Sequence, residues 1–275
     1  RQLLPNVEVR FWDESVSPAA MLDGAGVLML THVDYRTGRI RDMGELSAAA
    51  HAAGALTVWD LSHSTGVLEL AIARDGADFA IGCGYKYLNG GPGAPSYTWV
   101  SPTLIEQVRQ PLEGWLGHKN PFAFVPEYEP APGIRRFITG TQQVLSLAAL
   151  DESLKMWEGV SMSEIRRKSM AQTSRFIERV EAECKGYGLT LISPREGQLR
   201  GGQVSFAHES GYPIMQALIS RGVIGDFRTP NILRFGFSPL YVSFADIDRA
   251  AATFAEILRT DAWRAPEFAS KQTVT

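Results

Sequence analysis

Lys86 and Asp60 are the two residues whose types and surroundings indicate chemistry. Lys86 lies between two tyrosines and ahead of a glycine-rich turn, in residues 82–93 (GCGYKYLNGGPG), and Asp60 ends the apolar segment 55–60 (ALTVWD). Desolvated surroundings lower the pKa of a lysine amine and make it a nucleophile and base for imine chemistry. A buried carboxylate can keep a heteroaromatic ring nitrogen protonated. The pair therefore predicts a site for pyridoxal phosphate (PLP).

Each of these residues alone also has an ordinary structural explanation. Aspartate is a good helix N-cap, and most lysines are solvated surface residues. The combination is more informative than either residue. Successive strands of one sheet would bring both side chains to the same edge, where open α/β sheets bind ligands.

The elements that would position this pair alternate between strand and helix, which predicts an α/β protein with a largely parallel sheet. Strands buried on both of their faces need helices on both sides. The predicted strands of this half cover residues 7–11, 26–31, 55–60, 78–82 and 96–100, the last one antiparallel, and the predicted helices cover 43–53 and 66–74.

The second half of the chain predicts a smaller α+β domain. Residues 113–140 are rich in Pro, Gly and aromatic residues, which is typical of a long irregular functional segment. We place the domain boundary near Ser161, so that residues 1–160 form the large PLP-binding domain and 161–275 the small domain. The helices predicted after residue 140 cover 142–157, 161–185, 212–221 and 244–259, and the strands cover 189–192, 203–206 and 233–236.

Composition excludes several classes of function. The chain has 275 residues, of which 45% are apolar and 21% charged, and its net charge is −3. Without a basic surplus, nucleic acid and anionic membranes are not expected partners. The sequence contains no apolar run long enough for a transmembrane helix, and we expect neither a transmembrane helix nor a signal peptide. Its two cysteines, Cys83 and Cys184, are consistent with a reducing cytoplasm rather than a disulfide framework.

Other chemical motifs are incomplete. The glycines near Lys86 lack the spacing of a dinucleotide fingerprint, and no Walker-type Gly-Lys-Ser/Thr occurs. Residues 62–66 (SHSTG) lack the leading glycine of a nucleophile elbow. The five histidines do not have metal-ligand spacing, so no metal site is expected.

The residues around Lys86 and Asp60 resemble the kynureninase family, which consists of fold-type-I PLP hydrolases with a transferase-like fold. The most specific similarity is the YKYLNGGPG string within 82–93, and the resemblance extends over nearly the whole chain. The other similar segments are 58–64 (VWDLSHS), 30–33 (LTHV), 114–118 (GWLGH), 140–142 (GTQ), 221–228 (RGVIGDFR) and 233–237 (LRFGF).

The resemblance implies roles for the residues near the cofactor. Lys86 would form the Schiff base with PLP and then act as the base on the substrate's α-proton. Asp60 would pair with the pyridinium nitrogen, and His63 would order that contact, although it could instead be a structural histidine. Tyr85 would contact the phosphate and donate a proton. Thr31, at a strand end, would approach the cofactor ring.

The resemblance also implies contacts with the phosphate and the substrate. Trp115 and Thr141 would reach the phosphate from the neighbouring subunit of a homodimer. Arg234 would bind the α-carboxylate of an amino-acid substrate through two parallel hydrogen bonds, unless it forms a structural ion pair.

The reaction implied is the hydrolysis of L-kynurenine to anthranilate and L-alanine in tryptophan breakdown. Relatives that prefer 3-hydroxykynurenine carry a Ser-Asn pair where this chain has Gly140-Thr141, which favours plain kynurenine. Two alternatives remain open: another fold-type-I PLP enzyme, such as a cysteine desulfurase or class V aminotransferase, and a non-catalytic scaffold.

The family's phosphate loop, its stacking aromatic and a further aspartate would all lie upstream of position 1. We therefore expect the natural protein to start earlier. We also expect that this 275-residue chain exposes an apolar sheet edge, binds PLP poorly by itself and is nearly inactive.

Overall fold

The computed structural model describes residues 6–270, which contain two four-stranded sheets. The first sheet follows the chain in the order β1 (Val27–Thr31), β2 (Leu56–Asp60), β3 (Phe79–Cys83) and β4 (Ser96–Val100). The first three strands are parallel and β4 is antiparallel to β3. The α/β fold class is confirmed, and so is the antiparallel fourth strand.

Within residues 6–270, helices pack against one face of this sheet. Alternation along the strands directs Leu28, Trp59 and Ala80 into a core that includes residues of helix α2 (Met43–Ala52). The Trp59 indole Nε1 donates to Ser47 Oγ of α2 at 3.1 Å. Helix α1 (Pro18–Leu22) closes the same core.

The opposite face of the first sheet differs from the sequence prediction, which placed helices on both sides. Val27 is 57% exposed and Met29 is 61% exposed on the edge strand β1. Residues 6–270 therefore leave an apolar strip of this face uncovered.

Two predicted elements are wrong. Residues 66–74 form successive turns instead of a helix, because Gly66 has a φ of 88° and the next residues, Val67 and Leu68, are buried together with Val33 and Tyr87. Residues 7–11 do not form a strand, because no strand among residues 6–270 pairs with them and Phe11 is 90% exposed. The other helices and strands begin and end within two residues of their predicted bounds.

A long irregular segment joins β4 to helix α3 (Val144–Lys155), as predicted. It contains only short 3-10 turns at Trp115–Gly117 and Gly133–Phe137. Helix α3 supports the loop after β3, because Ser153 Oγ donates to the carbonyl of Leu88 at 2.9 Å.

The elements of the second half are α4 (Met162–Glu183), β5 (Thr190–Leu191), β6 (Gln203–Ala207), α5 (Gly211–Ser220), β7 (Asp226–Arg228), β8 (Ile232–Gly236) and α6 (Phe244–Arg259). The second sheet has the strand order β5-β6-β8-β7, and its strands are antiparallel. Helices α4, α5 and α6 cover it around a core that includes Phe176, Val204 and Phe254. A capping box between Ser243 and Asp246 fixes the start of α6. No helix within residues 6–270 is long and apolar enough to cross a membrane.

The hairpin turn of residues 34–39 and the residue after it form backbone hydrogen bonds with residues 199–201, just before β6. Gly201 N donates to Gly38 O at 2.8 Å, and Ile40 N donates to Leu199 O at 2.9 Å. Next to this contact, the ring of Tyr87 lies against Gly202. The side chains of the second sheet therefore have a fixed position relative to the loop that carries Lys86.

Replacing Gly202 by alanine should destabilise this contact. A Cβ at Gly202 would lie 2.7 Å from Val67 Cγ2 and 2.8 Å from the hydroxyl oxygen of Tyr87. Overpacking of this kind costs about 2 kcal/mol of unfolding free energy, which urea unfolding would measure. Gly26→Ala is the control, because nothing lies within 4 Å of its added Cβ. Equal stability of the two variants would contradict the tight packing.

Candidate functional site

Asp60 lies at the carboxyl end of β2 with one carboxylate oxygen available. In the sheet register, Thr31 pairs with Asp60 and Asp60 pairs with Ile81, so these three side chains share one face. The Asp60 Oδ1 atom accepts a hydrogen bond from the backbone N–H of Ser62 at 2.8 Å. Among residues 6–270, Oδ2 has no hydrogen-bond partner and the carboxylate forms no ion pair. This oxygen can accept from a protonated ring nitrogen.

Lys86 lies in the loop that follows β3 and is half-buried. Its Nζ is 4.7 Å from the centre of the Tyr85 ring and donates to Cys83 Sγ at 3.5 Å. Asn89, three residues further, has a φ of 60°, which turns the chain tightly beside the lysine. Within the described part of the chain Lys86 has no carboxylate partner, so its amine is available for chemistry.

The pKa of His63 depends on its burial and on four charged groups of the site. Burial, and then the positive charges of Lys86 and Arg234, lower the pKa of His63 to about 4, while the charges of Asp60 and Asp226 oppose this shift. His63 is therefore neutral at pH 7. A neutral imidazole can exchange hydrogen bonds with a ligand without adding charge.

A cavity of about 460 Å³ opens between the loop after β3 and the second sheet. Four of the eight site residues predicted from the sequence line this cavity, namely His63, Tyr85, Lys86 and Arg234. Tyr85 is 52% exposed, so its hydroxyl can face a ligand. The neighbouring Tyr87 is buried, and burial raises its pKa.

Arg234 of β8 is held by protein groups on two sides. Its Nε donates to Asp226 Oδ1 at 3.0 Å and its Nη2 donates to Asp226 Oδ2. Its Nη1 donates to the carbonyl of Tyr35, in the 34–39 turn, at 2.7 Å. Sequence reasoning missed Asp226. The cross-strand pairing of Asp226 with Arg234 would have indicated it, had the β7–β8 hairpin been recognised.

Arg41 is a second residue that sequence reasoning missed. Its Nη1 donates to both the carbonyl oxygen and the Oγ1 of Thr31, each at 2.9 Å. The Thr31 hydroxyl thus accepts from the arginine and keeps its own hydrogen for another acceptor. No sequence signal pointed to Arg41, because the two residues are ten positions apart across a turn.

The structure does not bring Trp115 and Thr141 to this cavity within one chain. Trp115 is 44% exposed, lines a separate cavity with Phe124 and Tyr128, and packs edge to face on Phe122 at 5.6 Å. Thr141 is exposed. Their contact with a phosphate across subunits stays a prediction.

The cavity fits the ring and aldehyde of PLP. It offers an amine without a carboxylate partner at Lys86. Asp60 does not line the cavity, but its Oδ2 has no hydrogen bond within residues 6–270 and its charge acts on His63, which does line it. Among residues 6–270, no group of three or more metal-ligating side chains is present.

The burial of His32 predicts that the fold loses stability at acidic pH. This residue is 8% exposed, its Nδ1 lies 3.0 Å from Ser64 Oγ, and burial lowers its pKa to about 4. The unfolded chain binds a proton near pH 6.5, so stability falls as pH drops from there toward 4. Between pH 7 and pH 5 the wild type should lose about 2 kcal/mol more unfolding free energy than His32→Asn. Equal losses in urea unfolding would contradict a buried neutral imidazole.

In comparisons with known proteins, the matching family model and the relatives described here all carry the name kynureninase. A family model described as the kynureninase C-terminal domain matches residues 165–254. A kynureninase of Burkholderia mallei (strain SAVP1) is 48% identical over 275 residues, which is 100% of this chain and 66% of the relative. A kynureninase of Pseudomonas fluorescens is 49% identical over 258 residues, which is 94% of this chain and 62% of the relative. The chain thus spans slightly less than two thirds of the length of these relatives.

Solved structures with a similar fold are more distant in sequence. A cysteine desulfurase from Thermococcus onnurineus NA1 superposes with a TM-score of 0.75 at 20% identity, covering 88% of this chain and 62% of that one. An aspartate aminotransferase from Thermus thermophilus gives a TM-score of 0.62 at 20% identity, covering 89% of this chain and 68% of that one. These similarities show the fold and nothing further.

Proposed function

The chain belongs to the kynureninase family, and from this premise we propose that its protein hydrolyses L-kynurenine to anthranilate and L-alanine with PLP as cofactor. Residues 1–160 would form the cofactor-binding domain and residues 161–275 the small domain. The reaction would belong to tryptophan breakdown, and thereby to the supply of precursors for NAD.

One observation carries this proposal. The amine of Lys86 has no carboxylate partner within residues 6–270 and lines the same cavity as Arg234, and a carboxylate oxygen of Asp60 is unpaired near the same strand ends. Opposite charges that could neutralise one another in the protein are instead kept apart. Such an arrangement suits a ligand that brings its own cation, carbonyl and carboxylate.

PLP, when bound, would supply an electron sink for negative charge that develops on the substrate's carbon atoms. The Lys86 amine would first hold the cofactor's aldehyde and afterwards accept the proton from the α-carbon of the substrate. Asp60 would keep the positive charge of the ring nitrogen in place through a charge-assisted hydrogen bond.

Hydrolysis further requires groups that act at the substrate's γ-carbonyl. Water adds to this carbonyl, the β–γ carbon bond breaks, and the two products are anthranilate and L-alanine. The Tyr85 hydroxyl would donate to the oxygen on which negative charge develops. His63, neutral at pH 7, would hydrogen-bond next to it without competing as a cation. Arg234 would bind the α-carboxylate and fix the orientation of the substrate.

The sequence relatives favour this reaction over the alternatives. The desulfurase and aminotransferase similarities lie near 20% identity and are consistent with the fold alone, whereas the kynureninases reach 48% over the whole chain. A pure scaffold would have no use for an unpaired lysine and an unpaired aspartate at one sheet edge.

A homodimer in the cytoplasm completes the proposal. Apolar side chains of α3 and of the irregular segment are exposed, among them Leu145 at 89% and Phe122 at 72%, and a second subunit would cover them. The same subunit would deliver Trp115 and Thr141 to the phosphate. Cys83 and Cys184 are both free thiols, which suits a reducing compartment.

Anthranilate fluorescence tests the proposed function. The protein that carries this sequence at its natural length, supplied with PLP, should release anthranilate from L-kynurenine, and should turn over 3-hydroxykynurenine less efficiently. Release of sulfide from L-cysteine, or amino-group transfer to a 2-oxo acid, in place of anthranilate formation would contradict it.

A further inference from the structure

The hydrogen bonds of Arg234 leave a defined part of its guanidinium free. An arginine has five N–H donors. Asp226 takes the Nε hydrogen and one hydrogen of Nη2, and the carbonyl of Tyr35 takes one hydrogen of Nη1. Within the described chain the two remaining hydrogens are one on Nη1 and one on Nη2. Free N–H groups on the two terminal nitrogens are donors that a carboxylate can accept.

The two anchors of Arg234 come from different parts of the fold. Asp226 lies on the neighbouring strand β7, while Tyr35 lies in the 34–39 turn of the first half. The Tyr35 carbonyl also accepts from Gln203 Nε2 at 3.0 Å, so it is itself held by the second sheet. The side chain of Arg234 is only 10% exposed, which limits its freedom to swing toward a ligand.

Asp226 also keeps the positive charge of the cavity moderate. Its Oδ2 accepts from Arg228 Nη2 at 3.1 Å in addition to Arg234. One carboxylate between two guanidinium groups leaves this group of three side chains with a net charge of one positive unit, and Lys86 adds a second positive charge to the cavity lining. The net positive charge still attracts a carboxylate, while the repulsion between the two arginines is screened.

We propose that Asp226 is a positioning residue, which fixes the guanidinium of Arg234 so that its two remaining N–H groups bind the α-carboxylate of the amino-acid substrate. This inference rests on the proposed function and adds to it a residue that does not touch the substrate. Asp226 would act on the substrate's carboxylate through Arg234, while its charge also reaches Arg228 and His63.

If Asp226 blocks Arg234 instead of positioning it, the expected change in KM has the opposite direction. If the Asp226–Arg234 pair merely blocked Arg234, a substrate carboxylate would have to displace Asp226, and removing the aspartate charge would tighten binding. If Asp226 positions Arg234, its replacement by asparagine weakens binding, because the amide has a single acceptor oxygen and no charge, so the guanidinium loses at least one of its three anchoring bonds. The direction of the change in KM therefore separates the two.

Asp226→Asn is the test variant and Asp248→Asn is its matched control. Asp248 forms the same side-on pair, accepting from Arg175 Nε at 2.7 Å and Nη2 at 2.6 Å, but between α4 and α6, where neither residue lines the cavity. We expect Asp226→Asn to raise KM for L-kynurenine at least about tenfold with kcat within about threefold, which corresponds to about 1.4 kcal/mol of binding free energy. Asp248→Asn should leave both constants unchanged.

A second measurement does not depend on turnover. L-Alanine and ethylamine share the amine and differ by the carboxylate, so their binding to the PLP-loaded protein can be titrated calorimetrically. Asp226→Asn should raise the Kd of L-alanine about tenfold and leave that of ethylamine unchanged. Equal effects on both ligands would assign Asp226 a general structural role and overturn the proposal.

The remaining outcomes also decide the question. A lowered or unchanged KM in Asp226→Asn, with wild-type melting temperature and wild-type PLP content, would overturn the role of Asp226 while leaving the proposed function intact. A wild-type protein that binds no PLP and releases no anthranilate would instead overturn the proposed function, and with it this inference.

Discussion

Replacing Lys86 by arginine is expected to lower kcat by about 10³-fold or more. Arginine keeps the positive charge and the length of the side chain, but its guanidinium does not deprotonate in proteins. It can therefore neither bond to the cofactor's aldehyde nor accept the α-proton, and the variant loses both a covalent and an acid–base contribution. Anthranilate release from L-kynurenine, measured under saturating PLP, gives the comparison.

The control for this variant is Lys119→Arg. Lys119 is exposed and paired with Glu129 at 3.2 Å in the irregular segment, and it does not line the cavity of Lys86. Its replacement should leave kcat unchanged. A Lys86→Arg protein with kcat within tenfold of the wild type would mean that another amine performs the chemistry.

Replacing Asp60 by asparagine is expected to lower kcat by about 10²-fold. The amide has nearly the shape of the carboxylate and retains an oxygen for the backbone N–H of Ser62, which the Oδ1 of Asp60 accepts at 2.8 Å. It carries no charge, so it stabilises a protonated ring nitrogen far less. Steady-state kinetics and the absorption spectrum of the bound cofactor would measure the effect.

Asp261→Asn is the matched control for the charge change. Asp261 pairs with exposed Arg264 at 3.1 Å and has a φ of 52°, a conformation that asparagine adopts readily. This variant should keep wild-type kcat. If Asp60→Asn retained wild-type kcat and an unchanged cofactor spectrum, the carboxylate would have no role at the ring nitrogen.

The parts of the fold that local sequence determines were predictable. The apolar runs of β1, β2 and β3 and the end of each strand follow from residues within a few positions of one another. Helix α6 begins and ends where predicted, because Ser243 and Asp246 cap it and its apolar residues have helical spacing. The positions of Asp60 and Lys86 near one sheet edge follow from the same local information.

The contacts that were not predictable depend on tertiary structure. The pairing of Asp226 with Arg234 requires the register of β7 and β8, and the carbonyl of Tyr35 reaches Arg234 only after the two sheets have packed. The segment that starts at Gly66 has the composition of a helix but turns inward, since burial of Val67 against Tyr87 outweighs helix propensity. Residues that are close in sequence do not determine these contacts.

Reduction with borohydride after addition of PLP tests whether Lys86 is the residue that holds the cofactor. The reduced protein, at its natural length, is digested and its peptides are analysed by mass spectrometry. We expect a pyridoxyl group on the peptide that contains Lys86, and its loss from that peptide in Lys86→Arg. A protein without the label, or with the label on a different lysine, would contradict this role of Lys86.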